Sequence, residues 1–296
     1  MNLLRSPRRL GAALLLLALG ACGGGNENKA YIEKPVDDLY NNAMDQLSTE
    51  DYGKAAGTFQ QVESQHPYSV WATKSQLMAI YANYENGKYN EAIIAADRFI
   101  QLHPGSPDIA YAYYVKAICY YIQITDVGRD QKITEQAVKA LEDVVRRFPD
   151  SKYARDAKLK LDFTHDHLAG KEMEIGRWYL KQGEYLAAMN RFKRVIDNYQ
   201  TTTHVPEALE RLVECDLGLG LLKEARENAA VLGYNYPGSR WYEEAYTRVS
   251  EIAAAGTAPP AGTAPPATAA APPGEAAPTG EPPQQGWFSG VIGRLF

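Results

Sequence analysis

The 296-residue sequence predicts an all-α solenoid of about five stacked helix pairs, and three observations predict it. First, Tyr89, Ala92, Ala96, Phe99 and Pro104 place small and aromatic residues on one face of a helix that the proline then ends. Second, that frame recurs: Tyr52, Ala55, Phe59, Val62, Pro67; Thr134, Ala137, Leu141, Val144, Pro149; Tyr185, Ala188, Phe192, Val195, with Gln200 in the proline position; and Leu222, Ala225, Ala229, Leu232, Pro237. The end positions 67, 104, 149, 200 and 237 lie 37, 45, 51 and 37 residues apart, a spacing typical of repeat arrays. Third, Ser69, Ser106, Ser151 and Ser239 each stand two residues after a frame proline, where a hydroxyl can cap the next helix.

Taken in order, residues 1–21 read as an export signal. Arg5, Arg8 and Arg9 precede an apolar run from Leu10 to Leu19, too short to span a bilayer as a helix. Leu19-Gly20-Ala21-Cys22 resembles a bacterial lipobox. That resemblance implies cleavage before Cys22 and an N-palmitoyl, S-diacylglycerol cysteine, with several acyl chains holding more firmly than one. Gly23, where lipoproteins retained at the inner membrane favour Asp, suggests the outer membrane, so the expected location is its periplasmic face, lipid-anchored. Residues 22–34, Gly/Asn-rich, form a flexible tether, and the repeat domain is expected over 35–252.

Asp37 or Asp38 is positioned to cap a first helix carrying Leu39, Tyr40, Ala43 and Leu47, with Thr49-Glu50-Asp51 turning into a second helix over 52–66. Asn86-Gly87-Lys88 and Lys181-Gln182-Gly183 read as tight turns within pairs, and Pro107 as a first helical residue after a Ser106 cap. An insertion of eight residues near 125–131 is polar and belongs in a surface loop. A second insertion lengthens 153–180 into one long helix, or two broken near Gly170. Residues 253–286 shift to Ala, Pro, Gly and Thr, a composition that stays disordered. Residues 287–296 place Trp287, Phe288, Val291, Ile292, Leu295 and Phe296 at helical spacing, an amphipathic segment suited to a protein groove or a membrane surface.

Loss of Arg5, Arg8 and Arg9 with the signal would take the formal net charge from −5 to −8, which argues against a nucleic-acid partner. Cys119 and Cys215 fall in apolar segments of different repeats and read as buried, unpaired thiols. His165 and His167, two residues apart, point to different helix faces and make a poor zinc pair. With no nucleophile, metal or phosphate motif, neither an enzyme nor a cofactor is expected.

The paired helices with small, aromatic and proline positions resemble tetratricopeptide repeats. More narrowly, the chain is similar to the BamD family of lipoproteins, part of the machine that assembles outer-membrane β-barrels. The similarity is carried by Ile80-Tyr81-Ala82-x-Tyr84, the run Asp97-Arg98-Phe99-Ile100-x-Leu102-x-Pro104-x-x-Pro107-x-Ile109-x-Tyr111, Asp126 to Gln131, Pro149-x-Ser151-x-Tyr153-x-x-Asp156-Ala157, and Asn190-Arg191. It implies a scaffold that binds the POTRA region of a BamA-type barrel protein through its C-terminal repeats, joins other assembly lipoproteins, and receives unfolded outer-membrane proteins in its N-terminal repeats. On that reading Tyr81, Tyr84, Arg98, Tyr111 and Tyr114 would contact substrate peptides, while Arg191 and Arg194 would contact the barrel protein. The rival reading is a pilotin-type or division-site lipoprotein that binds another periplasmic protein.

Overall fold

The computed structural model describes residues 33–255. The expectations for 1–32 and 256–296, including Cys22 and the amphipathic end, lie outside the described residues. Within them are eleven helices and no strand: α1 (Val36–Ser48), α2 (Tyr52–Gln65), α3 (Val70–Glu85), α4 (Tyr89–Leu102), α5 (Ile109–Ile122), α6 (Lys132–Arg147), α7 (Lys152–Lys181), α8 (Tyr185–Asn198), α9 (Val205–Gly218), α10 (Leu222–Asn235) and α11 (Arg240–Ala255).

Each helix packs on the next, making five pairs, and the first helices α1, α3, α5 and α7 also touch in succession. This is a tetratricopeptide-type solenoid, with α11 lying on both α9 and α10 as the first helix of a sixth pair would. The recurrent frame forms its core. Ala55, Phe59 and Val62, Ala92, Ala96 and Phe99, Ala137, Leu141 and Val144, Ala188, Phe192 and Val195, and Ala225, Ala229 and Leu232 are all buried. Of the third and fourth frame positions one holds a larger side chain and the other a smaller one in each copy.

The serine caps form at three of four junctions. Ser69, Ser151 and Ser239 Oγ accept the backbone N–H of Ala72, Ala154 and Tyr242 at 3.1, 3.2 and 3.2 Å. The fourth differs from expectation: Ser106 Oγ instead accepts the N–H of Asp108 at 3.2 Å, and α5 starts only at Ile109, so Pro107 lies before the helix. Asp37 and Asp38 do not cap α1 either. Pro35 holds that position, and the two carboxylates lie in the first turn, where they face the positive end of the helix dipole. Within pairs, Gly87, Gly183 and Gly220 adopt φ of +70°, +78° and +74°. Glu50 takes the same left-handed conformation, φ +60°, in the first pair.

α7 is one unbroken helix of 30 residues, about 45 Å long. Gly170 does not interrupt it; an added Cβ there would meet His204 Nε2 at 3.3 Å and Val127 Cγ1 at 3.6 Å, so this glycine serves a close approach. The inserted loop after α5 meets α7 at that point through Val127 and is closed on itself by Gln131 Nε2, which lies 3.3, 3.3 and 2.9 Å from the carbonyls of Asp126, Val127 and Arg129. The buried apolar residues separate into two cores, one from Leu39 to Ala157 and one from Ala169 to Ala245. α7 contributes Tyr153 and Ala157 to the first and Ala169 and Met173 to the second. Cys119 belongs to one core and Cys215 to the other; both are free and buried, and burial pushes the Cys119 thiol up to about 12.

Candidate interaction surfaces

Tyr81 and Tyr84 on α3, Tyr111 and Tyr114 on α5, and Tyr153 on α7 form a run of buried rings across three successive first helices. Tyr114 stacks on Tyr153 with centroids 5.0 Å apart, and Tyr111 lies 6.0 Å from the same ring. Burial raises the ionisation of all these phenols, so they stay neutral and present O–H donors. Tyr114 donates to Asp156 Oδ2 at 2.6 Å, and Lys160 Nζ lies 2.8 Å from Asp156 Oδ1. Burial lifts the Glu85 carboxyl above its ordinary range, opposed by a hydrogen bond from Tyr81.

Arg98 on α4 is exposed but paired, its Nη2 2.6 Å from Glu63 Oε1 on α2. Glu63 also accepts from Gln76 Nε2 at 2.8 Å, and Gln76 Oε1 meets His103 Nε2 at 2.7 Å, a polar ladder along the outer edge of the first two pairs. Arg191 and Arg194 on α8 converge on one carboxylate of α7: Arg191 Nη1 is 3.1 Å from Glu172 Oε2, and Arg194 Nη1 is 3.4 Å from Oε1. Two guanidiniums sharing one carboxylate leave a net positive charge, with Arg194 exposed to solvent.

The largest charge cluster escaped the sequence reading. Arg177 grips Glu207 with Nε and Nη2 at 2.7 and 2.8 Å, Arg211 Nη1 donates to Glu214 at 2.7 Å, and Arg248 Nη1 lies 2.8 Å from Glu210 and 3.0 Å from Glu214. Glu210 is fully buried, and the Arg248 contact, though short, lies off the line of a hydrogen bond. Arg211 and Arg240 also lie over the Trp241 ring at 5.6 and 4.4 Å. Glu207, Glu210, Arg211 and Glu214 share one helix face by spacing, which is a signal, but periodicity cannot supply the partners Arg177 and Arg248 from α7 and α11.

Around the His165-Asp166-His167 run, Asp166 Oδ1 accepts from the backbone N–H and hydroxyl of Thr203 at 2.9 and 2.8 Å, and His165 packs beside Tyr199. These contacts tie α7 to the turn before α9. Among the described residues no group of three His, Cys, Asp or Glu could hold a metal, and no helix is long and apolar enough to cross a membrane.

A family model described as YfiO, outer membrane lipoprotein, matches residues 32–232. The chain belongs to this family, the BamD family of outer-membrane assembly factors. Relatives named outer membrane protein assembly factor BamD are similar over most of its length. That of Caulobacter vibrioides is 52% identical, covering 82% of this chain and 80% of the relative. The Rickettsia prowazekii protein is 46% identical over 83% and 98%, and that of Neisseria meningitidis 34% identical over 78% and 91%. The family-model match spans all the surfaces above except α11, which begins after it ends.

Proposed function

We propose that this BamD-family chain is a non-enzymatic scaffold of the outer-membrane β-barrel assembly machine, anchored at the periplasmic face of the outer membrane by lipid on Cys22. The observation that carries the reading is 52% identity to a named assembly factor across 244 residues. Its helix pairs bury their small and aromatic faces against one another, so the array is a rigid frame for holding other polypeptides. The fourth and fifth pairs would bind the POTRA region of a BamA-type barrel protein, with Arg191 and Arg194 receiving an acidic side chain that Glu172 alone does not satisfy. Unfolded barrel substrates would lie across the first helices of the second and third pairs. There the buried rings of Tyr81, Tyr84, Tyr111 and Tyr114 would act as a floor, while half-buried Glu85, Lys116 and Asp156 supply the polar edge. Arg98 would reach substrate only by leaving Glu63. Other assembly lipoproteins would join the same frame.

Reversing both charges, Arg191→Glu with Arg194→Glu, is expected to lower co-purification of the POTRA-containing barrel protein from detergent extracts at least tenfold. Because the two new carboxylates would repel half-buried Glu172, Arg191→Gln with Arg194→Gln serves as the milder partner variant, expected to weaken recovery in the same direction with the fold retained. Undiminished recovery of the barrel protein would remove these arginines from the interface.

A further inference from the structure

The repeat frame supplies its own internal comparison at the turns that join one pair to the next. One residue after the frame-end position the chain has Tyr68, Gly105, Asp150, Thr201 and Gly238; three residues after, it has Val70, Pro107, Lys152, Thr203 and Arg240. Only the first of these turns carries a large apolar side chain at both places. Neither packs on the protein: Tyr68 is 101% exposed and Val70 80%. The base beneath them is firm. Ser69 caps α3, and Trp71 packs on Tyr40 with centroids 4.5 Å apart. From residue 64 to 84 the chain itself carries no carboxylate, and the exposed Glu33 beside the turn lies 3.7 Å from His66 Nδ1.

This turn is also where the N-terminal tether is fastened. The backbone N–H of Lys34 donates to Gln65 Oε1 at 3.1 Å, and His66 Nε2 pairs with the Lys34 carbonyl at 2.7 Å. Lys34 lies twelve positions after Cys22. A chain of that length cannot exceed about 43 Å between its ends. Of the five turns, the exposed apolar one is the one that fastens the N-terminal end of the described chain.

We infer that the α2–α3 turn is a second membrane contact, with the Tyr68 and Val70 side chains entering the headgroup layer of the leaflet that holds the lipid anchor. The inference rests on the proposed anchoring at Cys22. Tyrosine suits this depth, its ring among acyl chains and its hydroxyl in the wet interface. One such turn binds lipid weakly, but a covalent anchor close by makes the encounter intramolecular. Two points of attachment would set the angle of the solenoid to the membrane, which a single point cannot do.

The test uses the full lipidated chain in vesicles of phosphatidylethanolamine and phosphatidylglycerol. A Tyr68→Cys variant carries an environment-sensitive fluorophore, and a Gly105→Cys variant carries it on the equivalent turn of the next pair. Buried Cys119 and Cys215 leave the new thiol as the reactive one among the described residues, and the exposure of Tyr68 spares the fold. The expected result is blue-shifted emission at position 68, quenched by lipid-borne nitroxide, with water-like, unquenched emission at 105. Water-like emission at 68 from a chain that floats with the vesicles would overturn this inference and leave the anchor standing. A lipidated chain that fails to float would overturn both.

Discussion

Truncating Arg248 to alanine is expected to cost about 1–2 kcal/mol more stability at pH 8 than at pH 5. Glu210 is wholly buried between α9 and α11, and Arg248 Nη1 is the nearest cation, at 2.8 Å; Arg211 Nε stands at 3.4 Å. Burial pushes the Glu210 carboxyl up to about 7, against the pull of Arg211 and Arg248 and with a further push from Glu214 and Glu244. Because the folded value exceeds the ordinary value of 4.5, the stabilising effect of the protonated form is complete below pH 4.5 and is lost as pH rises to about 7. Without Arg248 the ionised carboxylate is left poorly matched, and the protonated form persists to higher pH. At pH 5 Glu210 is neutral in both chains, and only the contact of Arg248 with Glu214 is lost. Urea unfolding at pH 5 and pH 8 checks this, and a penalty of equal size at both would contradict it. A Glu210→Gln chain should show a flatter pH profile across the same window.

Gly176→Ala is expected to lower stability by about 2 kcal/mol. Alanine would by itself favour the α7 helix by about 1 kcal/mol. Its Cβ, however, would fall 2.5, 2.8 and 2.9 Å from three ring atoms of Phe192, whose side chain is fully buried. Overpacking of this severity costs about 3 kcal/mol. Shrinking the obstacle should relieve it, so Phe192→Leu in the same chain is expected to recover about 1–2 kcal/mol relative to additivity. Denaturant melts of the single and double variants decide the matter. An alanine chain as stable as the parent would show that α7 and α8 are farther apart than described.

These two sites mark where sequence reasoning stops. The frame from Tyr89 to Phe99 was readable because apolar residues at helical spacing must face a neighbour, and in all five copies the second to fourth positions are buried, while Tyr52, Tyr89, Tyr185 and Leu222 at the first are half-buried. Ser69, Ser151 and Ser239 were readable as caps because the signal is local, within three residues. Ser106 resembled them but lost the role when α5 began three residues later, a shift that no local pattern encodes. Gly170 and Gly176 look alike in sequence; one sits beside His204 and the other beneath Phe192, and only the packed helices distinguish them. Likewise Tyr81, Tyr84, Tyr111 and Tyr114 read as groove contacts on their helices, while their burial follows from how α3, α5 and α7 stack. Arg191 and Arg194 were visible as cations, but their sharing of Glu172 was not.

The most direct test of the scaffold account is depletion of the chain in its own cell, followed by pulse-labelling of a β-barrel protein of the outer membrane. Its folded form is scored by resistance to denaturation on unheated gels. The account predicts that folded barrel falls sharply while unfolded precursor persists in the periplasm, and that restoring the chain reverses both. Unchanged conversion of precursor to folded barrel in depleted cells would contradict it.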